Sequence, residues 1–305
     1  MTPLQLQQAE RIASALVSVQ GLLVALFLVA TMAGIGLRLT RGDVSETLRS
    51  TNQIARWLLA NLLAVPLFAV LLGLVFDLSE PVLIGLLLVA VAPAAPFIPR
   101  IVRLAGEEST SALRITAALT VVAAVTVPVV TLALALLFGL EREIALLQFF
   151  VPLVAVLVAP VLAGMAVRDR SPRLADRAAP ALLRLANLAL LGALLVVVVL
   201  EPGATIRVLV SLLGTGTLLV LVVFILGSIG IGWLVGGPTD EDRRILALAT
   251  AARNVGISLF LATAAFPGSD AESSIVAFTV LMFAVSGGVA YLLGQRRRSL
   301  TPALE

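Results

Sequence analysis

Leu248-Ala249-Thr250-Ala251-Ala252-Arg253-Asn254-Val255-Gly256-Ile257 places a charge, an amide and a glycine in the middle of an apolar run. Arg253 is the only charged residue of the chain that sits deep inside such a run. At that depth in a bilayer a guanidinium costs at least ~2.5 kcal/mol even on the most lenient insertion scale, so its presence asks for a reason. Three are open: recognition of a ligand, a side chain snorkelling to the interface, or a tie to carbonyls freed elsewhere in the fold.

The bilayer follows from composition. Of 305 residues 60% are apolar and 13% charged, with a mean hydropathy of +1.11. Soluble domains run near roughly 45–50% apolar and about 25% charged, so no soluble core could enclose this much apolar side chain. All 21 basic residues are arginine, and the chain has no Lys, His or Cys. Disulfides, thiolate nucleophiles, the commonest zinc ligand and the commonest general base are therefore missing, which removes most hydrolase and metalloenzyme chemistries and gives no reason to expect a metal or cofactor. The net charge of +3 is small and the arginines are scattered among loops, so the balance reads as membrane topology and not as a nucleic-acid footprint.

Apolar stretches bounded by charge or Pro/Gly clusters predict an all-α polytopic membrane protein of about nine spans. They run near 13–38, 54–76, 82–100, 110–139, 144–167, 180–200, 206–236, 245–266 and 272–294. The first is too long, and its flank too weakly basic, for a cleaved signal peptide. Arginines gather after the first span (Arg38, Arg41, Arg49), the third (Arg100, Arg103), the fifth (Arg168, Arg170, Arg173, Arg177), the seventh (Arg243, Arg244) and at the C-terminus (Arg296, Arg297, Arg298). Acids dominate the alternate loops: Asp77 and Glu80, Glu141 and Glu143, Glu201, Asp270 and Glu272. The alternation fits the positive-inside rule with the N-terminus outside and the C-terminus cytoplasmic, in a bacterial inner membrane.

Two spans are interrupted. Ala92-Pro93-Ala94-Ala95-Pro96-Phe97-Ile98-Pro99-Arg100 sets three prolines three residues apart, each removing a backbone donor and crowding the turn before it. The second interruption is the Arg253 run. Broken helices persist at membrane depth only where the freed backbone is buried in protein or lines a cavity. The broken spans are five apart and so cross in opposite directions, the arrangement expected at the substrate site of a carrier built from inverted repeats. On this reading the chain is one transporter domain, 1–305, with repeats at 13–139 (lacking its first helix) and 144–294. Gly227, Gly230, Gly232, Gly236 and Gly237 lie within or at the end of an apolar span with no strand before them, and read as close helix packing.

Ala92-Pro93-Ala94-Ala95-Pro96-Phe97-Ile98-Pro99, then Leu104-Ala105-Gly106-Glu107 and Val125-Thr126-Val127-Pro128, resemble the fourth and fifth helices of the bile acid/sodium symporter superfamily. Ala252-Arg253-Asn254-Val255-Gly256-Ile257-Ser258-Leu259 is similar to the ninth-helix crossover of its bacterial branch, and Met32-Ala33-Gly34-Ile35-Gly36-Leu37 to the end of the second helix. The resemblance implies a panel domain and a core domain, with two discontinuous helices crossing at the substrate site. It implies organic anions as substrates, commonly carried with sodium. The glutamate and glutamine on which the family's sodium sites lean fall on Ala249 and Arg253, and the serine and asparagine of its fourth-helix crossover at about Ile98 and Pro99. Only Asn61, five residues before Pro66, keeps a polar group.

All 18 carboxylates lie at span ends, in loops or at the termini, so none is placed at mid-membrane to hold sodium or a proton. The expected function is a secondary transporter of a small organic anion with sodium coupling weakened or absent. Arg253 would take the cation's place and pair with the anion, aided by Asn254 and the backbone from Ala94 to Pro99, with Pro96, Phe97 and Pro99 at the site. Asn61, Thr250, Ser258 and Ser286 would line the cavity. Two alternatives stay open: a sodium-coupled symporter using non-carboxylate ligands, and a non-transporting membrane sensor or partner subunit. An intramembrane enzyme lacks every usual base or nucleophile pair.

Overall fold

The computed structural model describes residues 3–93, 95–107, 109–138, 146–200, 202–203, 206, 210, 216–267 and 269–300. The start of the expected span at 144, most of 206–216, the loop at 139–145 and Ala94 lie outside the described residues. The described elements are helical: α1 (Pro3–Gly36), α2 (Arg41–Arg49), α3 (Thr51–Leu58), a π turn (Leu59–Ala64), α4 (Val65–Val75), α5 (Glu80–Ala90), α6 (Ile98–Leu104), α7 (Ser109–Leu137) and α8 (Leu146–Arg170). They continue with α9 (Pro172–Leu200), α10 (Thr217–Val235), α11 (Asp240–Ala251), α12 (Val255–Ala265) and α13 (Ala271–Leu300). Eight segments among the described residues are long and apolar enough to span a membrane, and the shorter apolar α5 belongs to the broken third span. The chain is a multi-pass membrane protein. Its outer surface carries the apolar side chains that lipid requires: Leu67, Leu71 and Leu74 form an exposed stripe along α4, and Leu234 on α10 is 82% exposed.

Two groups of helices are evident. α1 packs along α8 and α9, while α3–α4, α5, α6, α7, α10, α11, α12 and α13 pack on one another, and the groups meet where α8 lies on α7 and α1 on α12. Glycine sets the first group's spacing, because a Cβ on Gly164 of α8 would stand 2.5 Å from the Ala33 carbonyl and 2.7 Å from the Leu37 nitrogen. Gly36 of α1 is equally crowded by the backbone of Val161. Small residues give close approach where lipid offers no hydrophobic drive for helices to associate. Gly164→Val is therefore expected to lower stability by about 1–3 kcal/mol, read as a lower unfolding midpoint in detergent. A midpoint equal to the parent's would refute the close crossing.

The breaks fall where proline and capping chemistry dictate. α5 stops at Ala90, and Pro93 and Pro96 keep residues 91–97 from continuing it until α6 begins at Ile98. α11 starts on the cap Thr239, whose side chain accepts from Asp242 N, with Asp240, Glu241 and Asp242 on its positive end. It stops at Ala251, and α12 restarts on the cap Asn254, whose Oδ1 accepts from Ile257 N at 3.3 Å. The pair α11–α12 lies at the centre of the molecule: 94% of its apolar window is buried, against 22–56% for the other spans. The interrupted backbone is thus enclosed in protein, as the absence of water at that depth demands. At one end of the bundle the buried Glu107 carboxylate accepts from Arg244 Nε at 2.5 Å and Arg297 Nη1 at 2.7 Å. It joins the turn after α6 to the start of α11 and the end of α13.

Candidate functional site

Each proline at the crossover deprives one carbonyl of its helical donor. Pro93 has no N–H for Val89, four residues back, and Pro96 has none for Ala92. In the π turn Val65 N bonds Ala60 O, so the next donor in that register would serve Asn61 O, but position 66 is proline. The other break answers all three. Asn254 N donates to Ala92 O at 2.8 Å. Arg253 Nε donates to Val89 O at 3.1 Å, and Nη2 to Asn61 O at 3.4 Å and to Ala90 O. Nη1 donates to Asn61 Oδ1 at 3.0 Å and Thr250 O at 3.5 Å, and Ser258 Oγ to Leu88 O at 3.3 Å.

A guanidinium carries five N–H donors, and these contacts engage all five. Four acceptors are backbone carbonyls and one is an amide oxygen, none formally charged. The carbonyls of Val89, Ala90 and Thr250 belong to the C-terminal turns of α5 and α11, whose dipoles present partial negative charge to the cation. This neutral oxygen cage is what a hard cation selects. Asn61 is oriented by its own Nδ2, which donates to Trp57 O at 3.1 Å.

The structure divides the sequence-expected site residues into two sets. Arg253, Asn254, Asn61, Thr250 and Ser258 meet at the crossover and are all fully buried. Ser286, also fully buried, donates to Met282 O, and Met282 Sδ accepts from Arg253 N at 3.3 Å. Arg253 is enclosed in this conformation. Its guanidinium is 0% exposed, and its donors go to carbonyls at the ends of the broken helices and to Asn61, in keeping with the third of the roles open to it at the outset.

Pro96, Phe97 and Pro99 lie elsewhere, on the wall of a cavity of about 240 Å³. Arg38, Arg100, Arg103 and Arg184 share that wall with Thr31 and Asn187. The cavity runs between α1 and α9 on one side and α6 and the start of α7 on the other, the seam between the two helix groups. Phe97 is braced there against Phe283 of α13, with ring centroids 4.7 Å apart. Sequence reading misses the four arginines as site residues, because arginines near span ends read as topology. A signal exists in their spacing: Thr31 and Ile35 lie on one face of α1 with Arg38 in the turn after it, Arg100 and Arg103 on α6, and Arg184 and Asn187 on α9. Burial, then the guanidinia of Arg103, Arg100 and Arg168, lowers the pKa of Arg38, just beyond the first span, as expected where positive charges crowd together.

Residues 25–211 match the model of the sodium bile acid symporter family. The chain belongs to that family. A curated relative, the uncharacterized sodium-dependent transporter YocS of Bacillus subtilis (strain 168), is 27% identical over 261 residues, covering 83% of this chain and 77% of its own. The matched region takes in the proline break and the cavity's arginines but ends before the Arg253 crossover. As a family of transporters, the sodium bile acid symporters make a secondary carrier the coarse reading of the fold.

Proposed function

We propose that the chain is a secondary carrier of a small organic anion, working by alternating access without a bound sodium ion. The observation that carries this is the guanidinium of Arg253, a permanent cation caged by neutral oxygens of both breaks. A second cation in that low-dielectric cage would meet strong repulsion, and Ala249 and Arg253 stand where the family resemblance places sodium-ligating side chains. Arg253, Asn254, Asn61, Thr250 and Ser258 then hold the crossover shut as a rigid unit, with Ser286 behind it. Pro96, Phe97 and Pro99 present that unit to the anion in the seam. α1, α8 and α9 form the panel against which the remaining helices move, and 13–139 and 144–294 are the inverted repeats. The arginine-rich loops face the cytoplasm of a bacterial cell, with the N-terminus outside, and the protein catalyses no covalent chemistry.

Uptake into proteoliposomes tests the reading, with radiolabelled taurocholate, pyruvate, succinate and citrate as probes under equal inward gradients of sodium or potassium. At least one probe is expected to accumulate at rates within about twofold of each other under the two cations. Accumulation that requires sodium and saturates with it would mean that the guanidinium does not stand in for the ion. The printed name of the Bacillus relative favours that second reading, a sodium-coupled carrier using hydroxyl and carbonyl ligands.

A further inference from the structure

We infer that the cavity among Arg38, Arg100, Arg103 and Arg184 binds a compact organic anion carrying two or more negative charges, a di- or tricarboxylate free in solution. The inference rests on the carrier reading only for what the site is used for; the binding itself stands on geometry.

Four guanidinia from three separate elements converge on one cavity, whose lining contains no carboxylate. Other arginines are treated differently. Arg41 pairs with Asp169, Arg114 with Asp43 and Glu46, Arg168 with Asp176, and Arg244 and Arg297 with Glu107. Among the described residues no carboxylate pairs with Arg38, Arg100 or Arg184. Such a concentration of one sign between low-dielectric walls focuses a positive potential into the seam, and planar guanidinia match carboxylate oxygens in pairs. A monoanion would leave most of the charge of Arg38, Arg100 and Arg184 uncompensated; two or three carboxylates would meet it.

The uncharged groups point the same way. Thr31 and Asn187 line the cavity, and Thr31, 1% exposed, has a hydroxyl with no hydrogen-bond partner. Together they offer a hydroxyl and an amide for carboxylate or hydroxyl oxygens of a polar ligand. Size limits the choice further. A volume of about 240 Å³, under the ~300 Å³ at which pockets for drug-sized ligands begin, suits a compact acid better than a fused-ring body.

An apolar groove lined by Leu190, Leu191, Leu194 and Phe283 adjoins the cavity at Phe97, Arg100 and Asn187. Leu191 and Phe283 are exposed on the lipid-facing surface, so the headgroup of an anionic lipid is the rival source of negative charge. A phosphodiester headgroup such as phosphatidylglycerol brings one charge to Arg38, Arg100 and Arg184, which is why the free polyanion is preferred.

The experiment is calorimetric titration of the purified full chain, in detergent at low ionic strength, with lactate, succinate and citrate. Kd is expected to fall at least about tenfold from lactate to citrate, the scale of one added charge-assisted contact. Arg100→Gln and Arg184→Gln should each weaken citrate about tenfold and change lactate less than threefold, and Arg184→Lys should recover part of the loss. Unchanged unfolding midpoints without ligand show that these variants are folded. Binding indifferent to valence, or citrate binding unchanged in the glutamine variants, overturns the inference. So does loss of citrate binding in nanodiscs containing phosphatidylglycerol when it persists in phosphatidylcholine alone, since the lipid then owns the site. Valence-selective binding with no uptake of any probe would sink the carrier reading and leave this one standing; uptake of monocarboxylates alone would do the reverse.

Discussion

Arg253→Met is expected to lower the stability of the solubilised protein by about 3–5 kcal/mol, or to prevent accumulation of folded protein altogether. Methionine fills much of the same volume but supplies no donor. The carbonyls of Ala90 and Asn61 and the Oδ1 of Asn61 would then lose this donor at depth, with Val89 O keeping only the Ala92 N–H, and each group left unsatisfied costs about 1–3 kcal/mol before relaxation. Arg253→Lys keeps the charge with three donors on one nitrogen, which cannot span the fork from Val89 to Asn61, and should fall between the two. Thermal unfolding in detergent, with gel filtration to establish monodispersity, ranks the three proteins. A methionine variant as stable as its parent would show that the oxygen cage closes without the guanidinium.

Ala249→Glu combined with Arg253→Gln is expected to turn a sodium-indifferent protein into a sodium-responsive one. The pair restores the residue types that the family resemblance places at these positions, removes the fixed cation and adds a carboxylate one turn before the break. Ala249 is fully buried in α11, so the new carboxylate needs a counter-ion. Sodium at a hundred times its Kd would stabilise the folded state by about 2.7 kcal/mol, visible as a higher melting midpoint in sodium than in potassium at matched ionic strength. The parent should melt identically in both. Comparing two cations on the same variant cancels any overpacking by the larger side chain. A double variant that melts identically in sodium and potassium would sever the link between Arg253 and the missing ion.

Much of the fold is legible along the chain because its causes are local. Proline removes a donor from a known position, so Pro93 and Pro96 strip Val89 and Ala92 of a helical donor, whereas Asn61 follows from Pro66 only once the π turn is known. Apolar length identifies the spans, and the two breaks fall close to where they are expected, the first at 91–97 and the second at Ala252–Asn254. The role of Arg253 is less legible. A buried arginine can serve a ligand or the protein, and choosing between them needs the positions of oxygens 163 to 192 residues away. The arginine cavity is less legible still, because a charge near a span end satisfies the topology rule whether or not it faces a site.

Sequence alone determined that this protein lives in a membrane, where its helices break, that prolines there leave carbonyls without helical donors and that a single guanidinium is present at that depth. These are properties of composition, spacing and covalent structure. Only the tertiary structure decided that the guanidinium is consumed by those carbonyls and that Arg38, Arg100, Arg103 and Arg184 share one cavity. Hydrogen bonds and charge convergence depend on distances between helices remote in sequence, and packing alone sets those distances.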